Sequence, residues 1–237
     1  MKGAGVSRGG VRLPGVVVVT GTDTDVGKTL TTAALAAVLQ AHGATVAVYK
    51  PVQTGVAAGE GGDMGEIRRL AGTNECVEGA RLLLPMAPVA AAVRESKALP
   101  ALADHVATVQ SLATSHDHVL VEGAGGLLVE LDQDGNTIAD LASAFPSSAV
   151  VVVCRSGLGT LNHTLLTLEA LAVRGLSAAG LVVGSWPRDP GEVELDNKEY
   201  LSRLATPLLG CLPEQASLLS GEQFRTAAPE WLGIRGR

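Results

Sequence analysis

Cysteine is scarce: Cys76, Cys154 and Cys211 are an odd, widely spaced set with no CxxC and no Cys/His ligand spacing. That excludes a disulfide framework and a zinc site, and it predicts a reducing, cytoplasmic setting. Aromatic residues make up 3% of the chain, and no apolar run approaches the length of a membrane span. Lysine and arginine do not cluster, and the net charge is −6, which argues against a protein that coats nucleic acid. No Ser/His/Asp or Cys/His set suggests a covalent nucleophile. The five histidines show no metal-ligand spacing, and the pair flanking Asp117, His116 and His118, reads as surface.

What is present is alternation. Short β-branched runs (Val16–Thr20, Thr45–Tyr49, His118–Val121, Ala149–Cys154, Leu181–Val183, Pro207–Cys211) precede or follow longer Ala/Leu-rich runs (Thr29–His42, Leu102–Ala113, Thr160–Arg174). Strands apolar on both faces and alternating with helices predict an α/β fold with a mostly parallel sheet. With 237 residues and no Ser/Pro-rich linker, residues 16–237 read as one domain. Residues 1–15 read as a flexible arm, Val56–Gly62 as a flexible loop, and the tail after Pro213 as unpatterned.

The strongest local pattern is VVVVTGTDTDVGKTLTTAAL: strand, glycine loop, helix. Gly27-Lys28-Thr29 closes the loop as in a phosphate-binding P-loop, where backbone N–H groups and a helix N-terminus cradle phosphate. Lys28 would reach the β/γ-phosphates, and Thr29 would turn its hydroxyl to Mg²⁺. The first glycine, Gly21, stands one residue earlier than a strict Walker pattern requires. A second ligand for the metal belongs at another strand end, and Glu122 in HVLVEGAGG supplies it, followed by Gly123, Ala124 and Gly125. Lys50 ends the strand TVAVY and opens KPVQTG. A lysine there can offset developing charge on phosphate or carboxylate, and Thr54 can bond a small polar ligand. Asp63, read by itself, is an acid in a loop.

Together, in order, GTDTDVGKT, KPVQTG, the acid in GGDMGEI, VEGAGGLLV and GLGTLNHTLLTLEAL resemble the dethiobiotin synthases, over about Val16 to Pro213. The resemblance implies a P-loop fold and an Mg-ATP-dependent cyclo-ligase of biotin synthesis. Its substrates would be 7,8-diaminopelargonic acid and CO₂, joined through a carbamic–phosphoric anhydride. It implies Asp25, Val26, Gly27, Lys28, Thr29 and Leu30 around the triphosphate, with Thr29, Asp63 and Glu122 on Mg²⁺. Lys28 and Lys50 become the catalytic cations, and Thr54 contacts the diamine. Backbone amides of Gly159, Thr160, Leu161 and Asn162, at a helix start, hold the substrate carboxylate across a homodimer interface, with Asn197 and Tyr200 nearby. Where some members of the family read adenine with an asparagine, this chain has Gly184-Ser185. Backbone groups there and at Pro213, Glu214 and Gln215 would line the base pocket, with weaker discrimination among nucleoside triphosphates. A partition ATPase of the same class would carry a second lysine inside the glycine loop, where this chain has Thr and Asp. An amidating ligase would need a glutamine-hydrolysing domain, for which the chain has no room.

Overall fold

The computed structural model describes residues 10–235. In chain order its elements begin with β1 (Val11–Arg12), β2 (Val16–Gly21), α1 (Lys28–Ala41), β3 (Val46–Gln53), α2 (Gly62–Ala71), β4 (Glu75–Arg81), α3 (Pro88–Glu95) and α4 (Leu102–Ala113). They continue with β5 (His118–Gly126), α5 (Ile138–Ser143), β6 (Ala149–Cys154), α6 (Thr160–Val173), β7 (Ala178–Trp186), α7 (Glu192–Ser202), β8 (Leu208–Pro213), α8 (Gly221–Trp231) and β9 (Ile234–Arg235).

Seven strands form one parallel sheet in the order β4-β3-β5-β2-β6-β7-β8. The valine-rich β2 and β6 lie inside it, where both faces are covered and an unbroken apolar run costs nothing in exposed surface. One face packs on α1, α2 and α8 through Leu35, Leu39, Ile67 and Phe224, and the other on helices that include α4 and α5 through Val109 and Leu141. At least one end of α1 is set by sequence: Gly43, at φ +85°, takes the left-handed turn after its last residue. No helix among the described residues is long and apolar enough to cross a membrane.

The structure corrects several expectations. Within the segment expected as an arm, residues 1–9 lie outside the described residues, but Val11–Arg12 pairs with Ile234–Arg235 and Leu13 is buried. His118 is not on the surface. Chain from Leu13 to Gly15 crosses it, and its Nδ1 lies 2.8 Å from the Pro14 carbonyl. The tail is not unpatterned, since it folds into α8, which packs on α1 through Phe224 and Ala228, and into β9. Its start was readable: Ser220 accepts from the Gln223 N–H while Gln223 accepts from the Ser220 N–H, a reciprocal cap.

The strands bearing Lys50 and Glu122 also run further than expected. β3 continues to Gln53 because its pairing with β4 carries on after that with β5 ends at Tyr49, with Lys50 opposite Glu78 and Gln53 opposite Arg81. The edge strand β4 (ECVEGAR) carries no apolar run, because it is only half buried. Asp63 is not in a loop; it lies in the first turn of α2.

Candidate active site

At the carboxyl ends of β2, β3 and β5 the chain encloses a cavity of about 800 Å³. The phosphate loop forms its floor. Gly27 caps α1 at φ +96°, a backbone that suits glycine, and Asp25 also takes the left-handed region at φ +56°. Gly27 leaves no room for a side chain either: a Cβ there would lie 2.6 Å from the Gly184 carbonyl oxygen, at the end of β7. Conversely, a Cβ on Gly184 would collide with the Val26 carbonyl. The glycine at 184 is thus a packing requirement of this phosphate loop.

Around the floor stand the charged groups. Lys28 Nζ donates to the Asp23 carbonyl at 3.0 Å. Burial lowers the pKa of Lys28, an effect opposed by Glu122 and reinforced by Lys50. Lys50, from β3, reaches Glu122 Oε1 at 2.9 Å and pairs with Asp63. Burial works against its charge, but the two carboxylates outweigh burial and its pKa is raised. Burial alone would raise the Asp63 pKa, but Lys50 overcomes that and holds it below the ordinary value. Thr29 Oγ1 donates to Glu122 Oε1 at 3.0 Å, and the second oxygen of Glu122 is buried with no hydrogen-bond partner among the described residues. A hydroxyl and two carboxylates converging, one with an unused buried lone pair, are the all-oxygen donor set that suits Mg²⁺.

The cavity therefore brings together Asp25, Gly27, Lys28, Thr29, Leu30, Lys50, Thr54, Asp63, Glu122, Ala124 and Gly125. Val26 and Gly123 are buried beside it and do not line it. The expected base-pocket residues lie outside it but adjoin each other: Trp186 pairs with Pro213, and its carbonyl accepts from the Glu214 N–H at 2.9 Å. Ser185, Pro213, Glu214 and Gln215 are exposed there.

Gly159, Thr160, Leu161 and Asn162 also lie outside this chain's own cavity, at the start of α6. Asn197 is buried against the loop that enters α6. Its side-chain N–H groups donate to the carbonyls of Ser156 (2.8 Å) and Gly157 (3.2 Å), bracing the loop that enters α6, while Tyr200 is exposed. The sequence reading missed one wall, formed by Pro85, Met86, Ala87 and Pro88 at the start of α3. Pro88 at the first helical position was its only local signal.

Comparison with known proteins agrees with this architecture. The family described as "AAA domain" matches residues 16–222. The ATP-dependent dethiobiotin synthetase BioD of Rhodococcus jostii (strain RHA1) is 50% identical over 217 residues, covering 91% of this chain and 94% of that one. The enzyme of the same name from Mycobacterium avium (strain 104) is 51% identical over 213 residues, covering 90% and 93%. Among solved structures, the cell division ATPase MinD of Pyrococcus furiosus superposes with a TM-score of 0.53 at 17% identity, over 91% of this chain and 97% of that one. The signal recognition particle receptor FtsY of Elizabethkingia anophelis gives 0.54 at 16% identity over 91% of this chain; the match spans 65% of that chain, just under two thirds of its length. At such identities these structures show a shared fold and no more.

Proposed function

The chain belongs to the ATP-dependent dethiobiotin synthetases, carbon–nitrogen ligases of biotin biosynthesis, and from that premise we propose how its residues carry the reaction. The observation that supports the reading most is the convergence of Lys28, Thr29, Lys50, Asp63 and Glu122, from four separate segments, on one cavity. We take residues 16–237 as a single synthetase domain.

The substrate is 7,8-diaminopelargonic acid. One amine adds to CO₂ and loses a proton, giving a carbamate. A carbamate oxygen attacks the γ-phosphorus of ATP and expels ADP, leaving a carbamic–phosphoric anhydride. The second amine attacks the anhydride carbonyl and loses a proton, phosphate leaves with its electron pair, and the five-membered cyclic urea closes. The chain's part in these steps is positioning and charge. The N–H groups from Asp25 to Leu30 hold the triphosphate at the N-terminus of α1. Lys28 exchanges the Asp23 carbonyl for the β/γ-phosphate oxygens. Lys50 faces the transferred phosphoryl group and the carbamate, and Thr54 orients the diamine. Thr29, Asp63 and Glu122 would hold Mg²⁺, which when bound would neutralise phosphate charge.

Ser185 and the exposed loop Pro213–Gln215, next to Gly184, would border the base. Backbone atoms, one hydroxyl and the solvent-exposed side chains of Glu214 and Gln215 support only loose reading of the nucleobase.

The amides of Gly159–Asn162 take the substrate carboxylate in a homodimer, serving the partner's cavity. Support comes from their position outside the cavity of their own chain, and from exposed Leu158, Leu165, Leu166 and Val173 on and beside α6.

The test is phosphate release with Mg-ATP and bicarbonate, with and without the diamine, with mass spectrometry of the product. Diamine-dependent release with gain of one carbonyl is expected. Hydrolysis that is independent of the diamine and makes no such product would overturn the reading.

A further inference from the structure

The site described above leaves Gln53 without a task. Gln53 is the last residue of β3 and is 4% exposed, so both ends of its amide need partners. Both have one. Oε1 accepts from the backbone N–H of Asp63 at 3.0 Å, and Nε2 donates to the Thr54 carbonyl at 3.1 Å.

The first of these bonds falls where the chain most needs it. Asp63 lies in the first turn of α2, where backbone N–H groups have no acceptor within the helix. The residue before that helix, Gly61, has no side chain to cap it, and the stretch ahead of it is exposed turn. Gln53 supplies the missing acceptor from another element. The packing is fitted to this bond: a Cβ on Gly62 would stand 2.9 Å from Gln53 Oε1 and 3.2 Å from its Cδ, so the bare glycine leaves the space that the amide fills.

We propose that Gln53 is a positioning residue for Asp63, tying the first turn of α2 to the end of β3 so that the Asp63 carboxylate stays beside Lys50 and Glu122. The inference rests on the reading of Asp63 as a Mg²⁺ ligand. Groups that orient a metal ligand from behind typically matter about 10–100-fold in metal affinity. The same amide holds the Thr54 carbonyl and so couples the metal corner of the cavity to the residue facing the diamine.

The experiment is calorimetric titration of the full chain with ATP, without diamine, in EDTA and over a series of Mg²⁺ concentrations. Gln53→Met keeps the length of the side chain and removes both bonds. It is expected to raise the Mg²⁺ needed for half-maximal enhancement of ATP binding by about tenfold, with ATP binding in EDTA unchanged. Gln53→Glu, which keeps an acceptor for the Asp63 N–H, is expected to restore most of that shift.

An unchanged Mg²⁺ requirement in Gln53→Met, or an equal loss of ATP binding in EDTA, overturns the proposal. Asp63→Asn separates the two layers. If Asp63→Asn raises the Mg²⁺ requirement and Gln53→Met does not, the positioning role alone fails. If Asp63→Asn leaves the requirement unmoved, Asp63 is no metal ligand and both readings fall. Should Gln53→Met not fold, Gln53→Asn, which withdraws the same amide by one methylene, takes its place under the same outcomes.

Discussion

Lys50 and Glu122, from adjacent strands β3 and β5, meet at 2.9 Å with almost no exposure to solvent. Asp63 shares the lysine, so one buried ammonium holds two carboxylates together. Charges this deep are stable only as a set; removing one member leaves the others unpaired at low dielectric. Lys50→Met is therefore expected to reduce dethiobiotin formation about 100-fold or more, by loss of a preorganised cation. ATP binding through the phosphate loop should persist. The melting temperature should fall as well, and Mg²⁺ should recover part of it by neutralising the two stranded carboxylates. Steady-state kinetics and thermal melts with and without Mg²⁺ check both parts; wild-type turnover in this variant would remove Lys50 from the catalytic set.

Gly184 is pressed against Val26 and Gly27. Placing an asparagine there should not install adenine recognition on this backbone. Gly184→Asn is expected to displace the phosphate loop, weaken binding of every nucleoside triphosphate alike, and cost roughly 1–3 kcal/mol of stability, as overpacking does. Titration with ATP, CTP and GTP beside a chemical melt tests it. A selective gain for ATP would show that the loop yields.

The wild-type chain should discriminate poorly among bases. A site that pairs a base edge through buried polar groups rejects the wrong partner strongly, and no such side chain stands at Gly184. The expected ratio of kcat/KM for ATP over CTP or GTP is below about 100. Competition assays with mixed nucleotides measure it directly, and a larger ratio would mean that backbone groups alone read the base.

His105 is buried and bonded to Tyr49 at 2.7 Å. Burial lowers the His105 pKa below its ordinary 6.5 and pushes the Tyr49 hydroxyl up to about 12. The unfolded chain then binds a proton at His105 near pH 6.5 that the folded chain refuses until lower pH. Stability should be full above that value and decline as pH falls below it. Melting temperatures from pH 7.5 to 5 should show the decline, and His105→Gln should flatten it. An identical acid limb in His105→Gln would assign the loss to other groups.

Leu158 is 81% exposed and Leu166 is 55% exposed, one just before α6 and one on it. Replacing either by Asp should leave each cavity intact but separate the two copies of the homodimer proposed above. Sedimentation should report monomers, the KM for the diamine should rise, and ATP binding should hold. A dimeric variant with normal kinetics would place the carboxylate site elsewhere.

Much of this protein is local and was legible as such. The phosphate loop, the left-handed glycine after α1 and the buried strands β2 and β6 are each written in one contiguous stretch, because backbone conformation and period answer to nearby residues. Even so, the reciprocal cap of Ser220 and Gln223 was a local signal that went unread, and α8 went unread with it.

What only the tertiary structure decided concerns partners. Asp63 reads as a loop acid until Gln53, from a different element, caps its helix. His118 reads as surface until Leu13–Gly15 folds over it. Gly184 reads as a lost base contact until the end of β7 is laid against the phosphate loop. The contact of Asp63 joins two elements ten residues apart, and those of His118 and Gly184 join segments more than 100 residues apart. The strand order β4-β3-β5-β2-β6-β7-β8 puts β5 and β6 beside β2 and β3 and β7 one strand further out, which brings their carboxyl ends to one edge around the phosphate loop. The sequence alone determined which chemical groups the protein owns and the conformation of the loop that holds phosphate. Folding decided which of those groups share a charge, a hydrogen bond or a cavity wall, since burial and Coulomb energy depend on distance in space and not along the chain.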